Sequence, residues 1–186
     1  MIDVRPAVPG DGDVLGEIHA AAWEAAYAPF FAPGFAAQAV RDRRGRWHAR
    51  ITGQHGRETV LLAVRDGRPL ALSFCGPSES RPGLAEVYSC YSHPDGWGSG
   101  AAAVLMTETL RHLRAAGFTR VHLWTLRDTP RSRRFYTKAG FFESGGERTF
   151  DFGDGNPLVQ IEYERSCRSV STTGADTSGD GTTGPG

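Results

Sequence analysis

"HPDGWGSGAAAVLM" (residues 93–106) places three glycines at alternate positions, Gly96, Gly98 and Gly100, and follows them directly with an apolar, alanine-rich run. Glycine loses more backbone freedom on folding than any other residue, so three of them ahead of a helix-forming run ask for a reason. Upstream, "AEVYSCYS" (85–92) reads as a strand. Downstream, Ala102, Leu105, Met106, Leu110 and Leu113 follow helical spacing, Glu108, Arg111, His112 and Arg114 take the wet side, and Gly117 is a natural stop. A strand, a glycine-rich loop and a helix beginning near Gly98 make an anion site. Helix N-termini present unpaired N–H groups and partial positive charge, and glycines let a phosphate approach the backbone. The plainer alternative is a turn at Asp95-Gly96.

Two familiar phosphate loops do not fit. A Walker A loop ends in Gly-Lys-Ser/Thr, and Gly100-Ala101-Ala102 has no lysine. A dinucleotide fingerprint is matched in form by Gly98, Gly100 and Ala103, but His93 to Trp97 separate it from the strand. No acidic residue ends the following strand at the expected offset, because Asp128 lies 28 residues after Gly100.

Outward from the loop, the chain reads as mixed α/β. "IDVRPA" alternates like a short strand, and Asp13 is placed to cap a helix over about 14–27. On that helix His19, Trp23 and Tyr27 share one face. A second amphipathic helix is expected over about 35–51. "TVLLAV" and "PLALSFC" flank Asp66-Gly67-Arg68 as an antiparallel hairpin. "VHLWTL" is a fifth strand, Thr129-Pro130 supplies an N-cap and a first-turn proline for a short helix ending at Gly140, and two strands near 140–152 and 157–165 close the domain. From Cys167 to Gly186 the chain is mostly Ser, Thr, Gly and Asp, which cannot bury enough apolar surface to order itself. The expected organisation is one domain over 1–166 and a disordered tail over 167–186.

Lys plus Arg and Asp plus Glu are both 21, so net charge gives no argument for nucleic acid or an anionic membrane as partner. Three cysteines, Cys75, Cys90 and Cys167, have neither disulfide-framework nor metal-ligand spacing, which fits a reducing cytoplasm and no metal. No basic-then-apolar leader opens the sequence, and no window approaches a spanning helix.

The glycine stretch resembles the acyl-CoA pyrophosphate motif of the GNAT superfamily of N-acyltransferases, (Q/R)xxGx(G/A), with Trp97 in the first place and Gly100 and Ala102 in the last two. "RSRRFYTKAGFFESG" (131–145) is similar to the family's FYxKxGF segment at Phe135, Tyr136, Lys138, Gly140 and Phe141. The two motifs stand about 35 residues apart with helix and strand between them. The resemblance covers roughly residues 2 to 165. It implies an α/β fold of the α+β type, a mixed, mostly antiparallel sheet of six to seven strands flanked by about four helices, and acetyl-CoA as acyl donor. The backbone from Gly98 through Ser99, Gly100, Ala101 and Ala102 to Ala103 would then hold the pyrophosphate, and Cys90, Tyr91 and Ser92 on a splayed fourth strand would contact the pantetheine arm. Trp97, Thr129 and Arg133 are further cofactor candidates. Thr129 stands where many relatives have Asn. By the same resemblance, Tyr136 is the acid that protonates the leaving sulfur and Glu86 the general base, with a water chain as the alternative to Glu86.

By the same resemblance, acceptor specificity is expected from the first two helices and the loops over the sheet. There His19, Trp23, Glu24 and Tyr27 are candidates for the acceptor site, against the plainer reading of Trp23 and Tyr27 as the helix's core stripe. Arginines cluster at Arg41, Arg43, Arg44, Arg46 and Arg50, and again at Arg127, Arg131, Arg133 and Arg134 with Lys138. The expected function is transfer of acetyl to a primary amine of a small molecule, directly within a ternary complex. Acetylation of protein N-termini or lysines, and an acyl-CoA-binding module without turnover, are the alternatives. Dimers are common in the family, which leaves a homodimer open.

Overall fold

The computed structural model describes residues 1–53, 56 and 58–167. Cys167 is buried, and its N–H is bonded to the carbonyl of Thr119 at 2.9 Å. The remainder of the tail, 168–186, lies outside the described residues.

Seven strands form one mixed sheet: β1 (Ile2–Pro6), β2 (Thr59–Arg65), β3 (Arg68–Pro77), β4 (Ala85–Ser92), β5 (Arg120–Leu126), β6 (Phe142–Phe150) and β7 (Leu158–Ser166). Their spatial order is β1-β2-β3-β4-β5-β7-β6, so β7 inserts between β5 and β6. Every pairing is antiparallel except β4 with β5. The helices are α1 (Gly12–Ala26), α2 (Pro33–Gly45), α3 (Trp47–Thr52), α4 (Ala101–Ala115) and α5 (Pro130–Lys138). On one face α4 and α5 cover Val87, Val121, Leu123 and Tyr163. On the other, α1 and α3 cover Leu62, Leu72 and Phe74 through Leu15, Ile18 and Trp47. No helix among the described residues is long and apolar enough to cross a membrane.

Two local readings of the sequence are revised. The single helix expected over 35–51 is broken at Arg46 into α2 and α3. Gly45 ends the first piece, and the bend keeps both pieces against α1. The approach is close enough that a Cβ on Gly16 would stand 2.1 Å from the Arg44 carbonyl oxygen. The first helix starts at Gly12, so Asp13 sits inside its first turn and pairs with His48 at 2.8 Å. Asp11 precedes it instead, held by both terminal nitrogens of Arg5 (2.7 and 2.8 Å) and the Val8 N–H (2.7 Å).

The feature that makes a site is the seam between β4 and β5. They pair only at Ala85–Val121 and Glu86–His122 and then diverge. A register shift between Phe74 and Cys75 leaves Tyr88 as an extra residue on β4. The bulge resets the alternation, so Val87 and Cys90 both face α4 and α5, while Tyr88 and Tyr91 pack on the α1 and α3 side. Beyond Glu86, then, β4 has one edge without a strand partner among the described residues, in the middle of the sheet.

Candidate active site

The glycine loop leads from the open end of β4 into α4. Gly98 (φ 76°) and Gly100 (φ 86°) are left-handed, which favours glycine on backbone grounds. Crowding is not the reason, since a Cβ at Gly98 would meet nothing within 4 Å and one at Gly100 only Ile2 Cδ1 at 3.9 Å. The helix therefore begins at Ala101, three residues later than the sequence led us to expect.

The loop's N–H groups divide into two sets. Ser99 N–H bonds the Gly96 carbonyl at 3.1 Å, while the Ser99 hydroxyl donates to Gly96 O (2.6 Å) and accepts from Ala101 N–H (3.2 Å). The amides of Gly98, Gly100, Ala102 and Ala103 have no protein acceptor among the described residues. Those same four residues line a cleft of about 490 Å³ that runs between α1 and α5 across the open seam. Four unpaired amides at a helix N-terminus are a cradle for a phosphate-bearing ligand. Ser99 and Ala101, placed by the sequence in the same group, serve the loop itself, and Ala101 is buried.

The opposite wall is basic. Arg131, Arg134 and Lys138 of α5 line the cleft, and among the described residues no acidic one does. The guanidinium of Arg131 stands 3.3 Å from the Trp97 ring centroid, and Trp97 Nε1 donates to Ser92 O at 3.0 Å, so the tryptophan braces the loop while its face holds a cation. Arg133, the candidate singled out from sequence, turns away to Glu143 (2.7 Å). Helical phase would have found the right set, because 131, 134 and 138 share one face and 133 does not. Thr129 precedes α5 as expected, but its hydroxyl donates to Leu126 O at 2.7 Å, and it lies outside the cleft.

Cys90, Tyr91 and Ser92 line the cleft along the unpartnered edge of β4, and Tyr136 faces them from α5. Burial holds the Tyr136 phenol well above its usual pKa, with Cys90, Tyr27 and Tyr91 adding to the shift. At neutral pH it is a proton donor. Its hydroxyl has no hydrogen-bond partner among the described residues and is not sealed in. Burial also pushes the Cys90 thiol up to about 12, so it is not a thiolate and not a nucleophile at neutral pH.

Glu86 occupies the closed end of the seam, outside this cleft, and lines a second cavity of about 320 Å³ with Tyr88 and Arg148. It accepts from the Ser78 hydroxyl at 3.0 Å and lies 3.4 Å from Nε2 of the buried His122. Burial pushes its pKa up, but His122, Ser78 and Arg148 outweigh that and hold it below the ordinary carboxylate value. It is ionised at neutral pH. Of the acceptor candidates, Tyr27 lines the cleft, His19 and Trp23 are buried behind it, and Glu24 is exposed outside it.

Residues 17–141 match the model of the Acetyltransferase (GNAT) family. The chain belongs to the GNAT family of acetyltransferases. As a GNAT protein it is an acyltransferase. It is 32% identical over 145 residues to uncharacterized N-acetyltransferases of Mycobacterium tuberculosis and Mycobacterium bovis, covering 77% of this chain and 90% of each relative. Among solved structures, it shares the fold of the PaiA N-acetyltransferase of Thermoplasma acidophilum in complex with coenzyme A (TM-score 0.68, 17% identity, 89% of this chain and 99% of that one). The ribosomal-protein-S18-alanine N-acetyltransferase of Escherichia coli has the same GNAT fold (TM-score 0.65, 14% identity, 93% and 98%).

Proposed function

We propose that this protein transfers an acetyl group from acetyl-CoA directly to a primary amine of a small molecule. The observation that carries the reading is the coincidence, in one cleft, of four unpaired loop amides, three cationic side chains and a protonated, unpartnered Tyr136. Acetyl-CoA, when bound, supplies an acyl group already activated as a thioester. The amides of Gly98, Gly100, Ala102 and Ala103 are placed to take its pyrophosphate, with Arg131, Arg134 and Lys138 compensating the remaining charge. The open edge of β4 at Cys90 to Ser92 offers main-chain groups to the pantetheine arm. As the new C–N bond forms and the C–S bond breaks, Tyr136 gives its proton to the departing sulfur and regains one, through water, from the amine nitrogen as that becomes the amide. Glu86, ionised at the closed end of the seam, accepts the ammonium proton through water.

The small-acceptor reading takes the aromatic contacts beside α1 to stay closed during turnover. Phe31, in the α1–α2 connection, meets Phe152, in the β6–β7 connection, with ring centroids 5.5 Å apart. Phe35 packs on Phe31 with centroids 5.2 Å apart, so aromatic contacts tie the two connections together. The test is thiol release from acetyl-CoA in the presence of a panel of primary amines and, separately, of peptides with free N-termini. Turnover with a small amine alone is expected. Turnover confined to peptides would overturn the acceptor assignment.

A further inference from the structure

The mechanism above uses Glu86 but not the buried charges behind it. His122 of β5 pairs with Glu86 at the last rung of the seam and is wholly buried. Its Nε2 lies 2.7 Å from Ser78 Oγ and 3.4 Å from Glu86 Oε2. Its Nδ1 lies 2.9 Å from Glu162 Oε1 of β7, off the line of a hydrogen bond. Glu162 is held in turn by Arg81 (3.0 Å) and the Ser144 hydroxyl, while Arg81 and Arg120 together hold Glu164. Arg148 of β6 acts electrostatically on both Glu86 and Glu162. Taking so many charges out of water is costly, and packed apolar side chains often serve stability as well. The cluster has another reason to be there.

The hydrogen bonds run one way. An ionised carboxylate can only accept, so the Ser78 hydroxyl gives its one proton to Glu86 Oε2, at 3.0 Å. The contact between His122 Nε2 and Ser78 Oγ therefore has the histidine as donor. Arg81 N–H is the second donor to that oxygen (3.1 Å), and Ser80 Oγ is a more distant neighbour at 3.3 Å. Two hydrogen bonds in series thus lead from His122 through Ser78 to Oε2. Glu86 Oε1 has no hydrogen-bond partner among the described residues, and Glu86 lines the second cavity. One oxygen is held and the other is left for a proton. Burial pushes Glu86 up, and His122, by hydrogen bond and by charge, is the largest influence against it, ahead of Ser78 and Arg148.

We propose that His122 is the positioning residue for Glu86, fixing one carboxylate oxygen through Ser78 so that the other receives the ammonium proton through water. The inference rests on the reading of Glu86 as the base. His122 lines neither cavity, so it reaches the reaction only through Glu86. Glu162, itself fixed by Arg81 and Ser144, backs the far side of the imidazole. The same arginine ties the β3–β4 connection to β7, and its backbone N–H holds Ser78 from the other side. The buried charges thus set the place of a single side chain at the closed end of the seam.

The full chain, carrying isotope-labelled glutamate carboxyls, is titrated with acid and followed by NMR, and the Glu86 signal is assigned by its loss in Glu86→Gln. Its midpoint should lie below the ordinary carboxylate value in the unaltered protein and rise by about one pH unit in His122→Ala. His122→Gln, which restores a donor but not the ring, should bring it part of the way back. Thiol release from acetyl-CoA with the panel of primary amines is measured across pH in parallel. His122→Ala should lower kcat roughly tenfold to a hundredfold, leave KM for acetyl-CoA unchanged and move the acid limb of kcat/KM to higher pH. Ser78→Ala should act in the same direction, and it carries the test if His122→Ala fails to fold. A fall in kcat with no movement of midpoint or limb marks a merely structural role and overturns the proposal. If Glu86→Gln is slow while His122→Ala and Ser78→Ala match the unaltered protein, the positioning role falls and the base stands. If Glu86→Gln turns over as fast as the unaltered protein, the base reading falls and the proposal with it.

Discussion

The indole Nε1 of Trp47 donates a hydrogen bond to Nδ1 of His19, 28 residues earlier in the chain, and both rings are almost wholly buried. The bond joins α3 to α1 and fixes the tautomer of the histidine. It also makes the fold sensitive to acid. The folded ring has its pKa lowered from 6.5 to about 2, chiefly by burial and then by Arg43, Arg46 and Arg50. The unfolded chain therefore takes up a proton below pH 6.5 that the folded chain refuses. The contribution to stability is full above that pH and declines as pH falls. Urea unfolding should show about 2 kcal/mol lost between pH 7 and pH 5 from this group. His19→Gln should flatten that part of the profile, and an unchanged slope would refute the assignment.

Tyr136 is expected to act in the chemical step and not in cofactor binding. Its phenol is held protonated by burial, and its hydroxyl is free toward the cleft. Tyr136→Phe keeps the ring among Phe135, Phe141 and Tyr163 and removes only the proton. Turnover should fall by roughly a hundredfold while the dissociation constant for acetyl-CoA changes little. Thiol release under saturating amine, beside a calorimetric titration, reads the two separately.

Gly100 tests the loop. Its φ of 86° is the left-handed conformation, and a methyl group there meets no protein atom closer than 3.9 Å. Gly100→Ala should cost about 1–2 kcal/mol through backbone conformation alone. It should also weaken acetyl-CoA binding, because the amide of that residue is one of the four that face the cleft. Full affinity in the variant would mean the cradle does not hold the phosphates.

The basic face of α5 can be divided by substitution. Arg131 and Arg134 line the cleft, whereas Arg133 is engaged with Glu143 and lies near the Tyr163 hydroxyl (3.5 Å). Arg131→Ala should weaken acetyl-CoA binding by about tenfold at low salt, and less as salt is raised. Arg133→Ala should leave that affinity where it was. Affinity measured across ionic strength for both variants decides whether the side-chain phase of α5 is as described.

The features legible in the sequence are those set by local chemistry. Residues at positive φ, a helix N-terminus behind them, a proline opening α5 and the period of Leu105, Leu110 and Leu113 all follow from the residues themselves. The FYxKxGF segment and the glycine loop were recognisable because their residue types are constrained by backbone conformation and by a ligand's approach.

What only the tertiary structure decided depends on parity and on distance along the chain. One extra residue at Tyr88 reverses the alternation of β4, so Glu86 and Cys90, which simple alternation would put on one face, stand on opposite faces. The insertion of β7 between β5 and β6 is a pairing between distant segments that no local pattern encodes. Arg43 looks like one more arginine in a basic helix. It becomes a buried, uncompensated cation only because α2 lies across α1 near Gly16, where the missing side chain lets the two backbones touch. Sequence sets what each segment does by itself. Burial, and with it a charge left without an ion-pair partner among the described residues, is set by which segments meet.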